Sequence, residues 1–431
     1  MSAERLMLVA VAIAILVPPV RIFGVTPFDL YIYGVLLSYF VERWIWVRPN
    51  AKHPQDPIQR LLTILCVIVC GGYLVNVVTA EAQTTFVASL GLRTDFLYLR
   101  LCVYGLLTLF LLYGTYTVMA RVFDNDGAVR RFALVVIVAG TANAVITLIV
   151  WFLSTGGTLA RYNFELPLEL SPGVHVERMA IVFLLAFAIW ITGGVSRVQR
   201  RGLLLAMGLI GLSIATVMVR EGWVTFIFQL IILQMIYRAR MSGKRKIRAL
   251  TALGAIAAGA TYLVVSRYDF ASLINDSQSI DIRSTLWRHA ADVFYTYPLF
   301  GVGYGHYVFY STASVLVTSE EVTVASAHNG LLMVAAEMGA LGLLAWAGMC
   351  WSLVRRAILA RHWAIDPVVN GTVTTAAIVL ATAVVLQATA NSLIVPLPTE
   401  RTLTQESALL WMFAGISAAT LRRRLLSREI L

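Results

Sequence analysis

The sequence predicts an all-α polytopic membrane protein of about twelve transmembrane helices. Both termini are expected in the cytoplasm, with one large loop carrying amphipathic helices on the opposite side between spans nine and ten. Three observations carry that reading. The 431-residue chain is 59% hydrophobic and 13% charged, where a water-soluble domain carries about a quarter charged residues. Runs of about 20 apolar residues, enough to cross a hydrocarbon layer about 30 Å thick, recur along its length. The basic residues are divided unevenly among the segments that join those runs.

The spans read 6–24, 27–47, 59–80, 96–119, 131–153, 179–195, 202–219, 222–237, 249–265, 329–352, 368–390 and 405–421. In lipid only helices and closed barrels satisfy their own backbone, and these runs are too long and too uniformly apolar for barrel strands. The whole chain, 1–431, is therefore one integral membrane domain, and 266–327 is its large external loop. Arg5 and the apolar run after it have the form of a signal peptide. That run, however, continues through Pro18 and Pro19 to Gly24, and a second span follows almost at once, so a retained first span is expected.

The net charge of +11 invites a nucleic-acid reading, and the distribution of charge removes it. With the N-terminus in the cytoplasm, the N-terminus, loops 42–60, 120–131, 196–201, 238–248 and 353–366 and the tail 421–431 hold 24 of the 34 Lys and Arg residues. This is the positive-inside pattern. It places 266–327 outside the cytoplasm, which is the periplasm if the source is a Gram-negative bacterium. Cys66, Cys70, Cys102 and Cys350 all fall within spans. They suggest neither a disulfide framework nor a zinc site and read as small apolar core residues.

Within the external loop, Ile280 to Tyr297 has helical periodicity. Ile282, Leu286, Ala290, Val293 and Tyr297 fall near one face, and Arg283, Trp287, Ala291 and Phe294 near the adjacent one. An amphipathic helix at the membrane interface is expected. Pro298 stops it, and Gly301, Gly303 and Gly305 allow tight turns beside whatever binds there. Arg283 and Arg288 are about 140° apart around such a helix. One can face a ligand while the other tethers the helix to lipid head groups or to protein.

Arg220 ends the seventh span with Glu221 beside it, in a turn too short to be a loop. The pair reads either as an interfacial anchor or as a cationic site facing a cavity between helices. His328 stands at the entrance to span ten, next to Asn329. Gly339 and Gly342, three apart, are expected to permit close helix packing that fixes His328 in position, and Glu337 lies inside the same span. An imidazole there is able to accept a proton from a hydroxyl near neutral pH. Asp124-Asn125-Asp126 has the DxD form of metal-dependent sugar-nucleotide transferases, but it lies on the cytoplasmic side and reads as a solvated turn. Gly301-Val302-Gly303-Tyr304-Gly305 echoes a potassium filter without the re-entrant pore helix a filter needs, and it lacks the βαβ context of a dinucleotide fold.

The run His328-Asn329-x9-Gly339-x-x-Gly342 is similar to the signature of bacterial O-antigen ligases. Arg283-x3-Trp287 followed by Pro298-Leu-Phe-Gly-Val-Gly-Tyr-Gly resembles the core of the wider O-antigen ligase and polymerase superfamily. Arg220 occupies the place of that family's arginine in a Ser-Arg-Gly-like turn, here Val219-Arg220-Glu221. The resemblance implies transfer of a glycan from undecaprenyl pyrophosphate to a sugar hydroxyl of lipid A–core oligosaccharide, on the periplasmic face of the inner membrane. On that reading His328, Arg283 and Arg220 are catalytic and Arg288, Asn329 and Tyr304 contact substrate. The partners are the lipid-linked donor, the core acceptor and membrane lipid, with no nucleic acid. No metal or other cofactor is expected, because arginine offers a fixed, always-charged fork for phosphate oxygens and the loop has no obvious metal cluster. Direct attack from the far face predicts inversion. A polymerase or a protein O-glycosyltransferase of the same superfamily is the nearest rival. A lipid-linked oligosaccharide transporter is the rival from another class, although the Arg and His candidates cluster on one side and most span midplanes lack charge.

Overall fold

The structure is a computed structural model that describes residues 2–16, 26–46, 56–79, 94–155, 172–217, 220–237, 277–310, 314–317, 320–323, 327, 329–386 and 404–429. The helices are α1 (Ala3–Leu16), α2 (Pro27–Trp46), α3 (Pro57–Thr79), α4 (Thr94–Val122), α5 (Asp126–Thr155), α6 (Pro172–Thr192), α7 (Arg197–Val217) and α8 (Arg220–Tyr237). Then come α9 (Ser277–Thr296), the short α10 (Tyr307–Tyr310), α11 (Gly330–Trp363), α12 (Pro367–Leu386) and α13 (Thr404–Glu429). Seven helices among the described residues are long and apolar enough to cross a membrane, and Trp223–Tyr237 is a shorter apolar helix. The chain is a multi-pass membrane protein. The expected span 249–265 lies outside the described residues.

Among the described residues, one departure from an all-helical chain lies between α10 and α11. Ser314–Val317 (β1) and Glu320–Thr323 (β2) pair antiparallel, with Ser314 opposite Thr323 and Val317 opposite Glu320. Four of these eight residues are β-branched, which suits a pleated strand better than a helix. The described part of 266–327 is thus helix, glycine-rich turn and hairpin rather than helices alone.

Helix α11 is the hub, packing on α3, α9, α12 and α13. The core is largely aliphatic, with ring pairs holding α13 to α4 and α5: Tyr116 meets Trp411 edge-on at 6.0 Å, and Phe132 meets Phe413 at 5.2 Å. Such contacts interlock rings that the apolar pattern of the sequence specifies only as buried.

Ion pairs collect at one end of the bundle. Arg130 pairs with Asp366, Arg131 with Glu4, Arg423 with Asp126, and Arg356 with Asp56 at 2.5 Å. Arg422 donates to Ala120 O at 2.9 Å. Every segment joined by these ion pairs is one that the charge pattern places in the cytoplasm. The Asp-Asn-Asp turn belongs to the same belt: Asn125 Oδ1 caps α5 by accepting from Ala128 N at 2.8 Å, and Asp126 holds Arg423. It serves to start a helix and to join it to the C-terminal one.

Asp366 does two jobs there. Its Oδ1 accepts from Val368 N and Val369 N, both at 3.0 Å, capping α12, and its Oδ2 accepts from Arg130. Burial works to raise its pKa, but the Arg130 hydrogen bond and charge and the two backbone donors outweigh it and hold the carboxyl below its usual value. A depressed carboxyl stabilises the fold fully above its unfolded pKa, near 4, and loses that contribution as pH falls through the lower folded value. Asp366→Ala is expected to cost about 1 kcal/mol at neutral pH through the lost cap. In thermal unfolding of the detergent-solubilised protein, the gap between wild type and variant should narrow on acidification below pH 4.

Candidate functional site

At the end of the bundle opposite the ion pairs, the chain interlocks with itself. Helix α11 breaks at Gly339, where φ is 65° and ψ is −167°. In an unbroken helix Ala340 N–H would donate to Ala336 O and Leu341 N–H to Glu337 O. Here the segment after α9 takes all four groups. Ala336 O accepts from Val302 N at 2.9 Å and Glu337 O from Gly303 N at 2.8 Å, while Ala340 N donates to Pro298 O at 2.8 Å and Leu341 N to Leu299 O at 3.3 Å. The glycine-rich run therefore fills a gap in the hydrogen-bond ladder of a membrane helix.

This corrects the expectation that Gly339 and Gly342 form a small-residue face for helix packing. Gly339 leaves the helix, and its φ lies in the left-handed region that L side chains avoid. A Cβ on it would come within 2.6 Å of Phe300 N, and one on Gly301 (φ 67°) within 2.6 Å of Ala336 O. Each glycine lets its backbone lie directly on the other stretch, Gly339 on Leu299 and Phe300 and Gly301 on Ala336 to Met338. Gly303 and Gly305 also have positive φ, 96° and 81°, and bend the run back over the bundle.

A buried polar cluster lies under the turn. His306 and Tyr307 are fully buried, Tyr304 and Glu337 are 1% exposed and Tyr73 is 7% exposed. Tyr73 Oη donates to Tyr304 O at 2.8 Å, and its ring meets the His306 imidazole edge-on at 5.1 Å. Cys102 Sγ lies 3.6 Å from His306 Nε2. Tyr307 N donates to Glu337 Oε1 at 3.4 Å, and His289 on α9 contacts Tyr310 O at 3.0 Å through Nε2. Helices α3, α4, α9 and α11 are thereby tied to the same turn. Of these side chains, sequence reasoning singles out Tyr304 and Glu337 and gives no role to His306, His289, Tyr73 or Cys102. A histidine directly after the glycine run is the one local sign; the others reach the site only through the fold.

The expected site residues fall around this turn in different ways. Arg283 is half-buried on the side of α9 whose Leu286 and Ala290 are buried, and Arg288 is exposed. Tyr304 has its ring buried, where a Cβ on Gly105 would approach its Cδ1 to 2.9 Å. Asn329 is the N-cap of α11, its Oδ1 accepting from Leu332 N at 3.1 Å. His328, the residue before that cap, lies outside the described residues. Arg220 opens α8, which packs on α6 and α12 while α9 packs on α11; its side chain is likewise outside them.

The same end holds a second buried polar group, in a segment expected to be a loop. His175 is fully buried with Nε2 2.8 Å from Ser213 Oγ, and Arg178, 1% exposed, donates to Ile15 O at 3.3 Å. Helix α6 starts at Pro172, ahead of the expected span 179–195, which carries both residues into the bundle. Among the described residues no group of three or more His, Cys, Asp or Glu is placed to hold a metal.

Residues 205–347 match the family model for O-antigen ligase. The match covers about a third of the chain, from within α7 through the break in α11. It contains Arg220, Arg283, the glycine turn and His328, so this part of the chain is similar to the O-antigen ligase and polymerase superfamily. No curated protein matches the chain.

If the turn depends on close backbone approach, Gly339→Ala and Gly301→Ala should each cost about 2–4 kcal/mol, from left-handed strain and overpacking together. Gly34→Ala, with no atom within 4 Å of the added methyl, is the matched control. Thermal unfolding in detergent should show large losses for the first two and little change for the third.

Proposed function

We propose that the protein is an O-antigen ligase of the bacterial inner membrane, a glycosyltransferase of lipopolysaccharide biosynthesis. It moves a glycan from undecaprenyl pyrophosphate to a sugar hydroxyl of lipid A–core oligosaccharide on the periplasmic face. The observation that carries this reading is the family match over 205–347, which takes in the interlocked turn and all three residues assigned to catalysis. The site's position opposite the basic, ion-paired end supports a periplasmic location.

In the proposed step the acceptor oxygen attacks the anomeric carbon from the side away from the pyrophosphate. His328 takes the hydroxyl proton as the new glycosidic bond forms. The bond from the anomeric carbon to the pyrophosphate oxygen breaks, and undecaprenyl pyrophosphate leaves with the electron pair. Arg220 and Arg283 stabilise the charge that develops on it, so the reaction proceeds with inversion and with no metal required. Arg288, on the exposed side of α9, contacts the substrate. Asn329 positions His328 by fixing the start of α11, and Tyr304 shapes the turn from beneath.

Purified donor and core acceptor test these roles. Arg283→Ala and His328→Ala, each confirmed as inserted and abundant, should lose about 100-fold or more in transfer rate; full activity in either removes that residue from the mechanism. A chelator should leave the wild-type rate within about twofold, and a loss restored by a divalent ion would end the metal-free scheme. A deletion strain separates ligase from polymerase. Loss of a ligase leaves bare core with glycan stranded on the carrier, whereas loss of a polymerase leaves core bearing one repeat.

A further inference from the structure

A long apolar groove opens on the side of the bundle between α5 and α7, remote from the glycine turn. Its volume is about 920 Å³, and Ile189 of α6 and Val368 of α12 form its floor. It extends along α5 from Arg130 to Ile146, about 24 Å at 1.5 Å per residue. A second, smaller apolar hollow continues it past Val145 to Leu153. The walls are apolar, and Leu134, Val138 and Leu205 stand more than half exposed along it. A Cβ on Gly202, which lines the groove, would meet no atom within 4 Å, so among the described residues no neighbouring side chain fills the space.

The mouth has a different character. Arg130 and Arg131 line it at the ion-paired end of the bundle, with side chains 59% and 55% exposed. Each makes one ion pair, to Asp366 and to Glu4, and a guanidinium has five N–H donors. Arg197, Arg200 and Arg201 stand at the adjacent start of α7. An apolar trough as long as an acyl chain, open towards the bilayer and headed by cations, is complementary to one kind of molecule.

We infer that this groove binds an anionic glycerophospholipid of the leaflet at the ion-paired end, with its acyl chain along α5 and its phosphate at Arg130 and Arg131. Guanidinium forks suit phosphate oxygens, and basic residues at a membrane surface attract anionic lipid. The bound lipid would splint α5 to α7 and so reinforce a face that the described protein segments leave open. The inference is independent of the transfer reaction.

The test uses the full-length protein, delipidated in a non-ionic detergent and titrated with phosphatidylglycerol or with phosphatidylcholine of the same acyl chains. Native mass spectrometry counts the retained lipid. The expected result is a preference of about tenfold or more for phosphatidylglycerol, accompanied by a rise in thermal stability. Gly202→Phe fills the groove without touching an ion pair and should lose that binding about fivefold or more, while its unfolding temperature in lipid-free detergent stays close to wild type. Arg130→Gln/Arg131→Gln should retain lipid but lose the preference. Equal retention of the two lipids by the wild type, or undiminished phosphatidylglycerol binding by Gly202→Phe, overturns the inference.

Discussion

The end of the bundle that carries the glycine turn depends on an exchange of backbone hydrogen bonds. A helix that breaks inside a membrane protein exposes donors and acceptors, each costing about 1–3 kcal/mol if buried without a partner and more in hydrocarbon. At Gly339 two such bonds open, and all four groups are taken by Pro298, Leu299, Val302 and Gly303. Neither partner is stable in this form without the other: the turn has no regular structure of its own, and the helix has a gap. Around that exchange the remaining contacts take their places. Tyr73 reaches the turn from α3, Cys102 from α4, and α9 follows because it leads directly into Pro298.

The opposite end is organised by a different force. Salt bridges and caps join the N-terminus, the α4–α5 turn, the α11–α12 turn and the C-terminal helix. Exposed pairs of this kind contribute little singly. Here they are joined to helix starts: Asp366 is both cap and ion-pair partner, and Asn125 caps the helix whose Asp126 holds Arg423. The protein is thus sealed by charge at one face and by backbone pairing at the other, with an apolar core between.

Much of this is legible in the sequence because hydrocarbon imposes simple rules. Apolar run length marks the membrane-spanning helices among the described residues, and the periodicity from Ile280 to Tyr297 anticipates α9 at Ser277–Thr296. The glycines at 301, 303 and 305 read as turn-formers, and their positive φ angles agree. Gly339 misleads because glycine spacing says that backbone comes close without saying which backbone; its partner lies far upstream in sequence. His175 and Arg178 escape notice because an apolar window trims charged residues from helix ends, although here tertiary partners hold them inside. The hairpin escapes because eight residues in a polar loop carry too weak an alternation to stand out.

The pairing of the glycine turn with α11 also divides the stretch between α9 and α11 by its tolerance of length change. Between Pro298 and Gly303, and between Ala336 and Leu341, the spacing of residues is fixed by hydrogen bonds to the facing stretch of backbone. A single insertion there takes these donors out of register with their acceptors. The hairpin between them, Ser314 to Thr323, is bound by no such register to the membrane helices among the described residues. Variation in loop length among proteins built on this plan should therefore gather in the hairpin, leaving the two interlocked stretches at constant size.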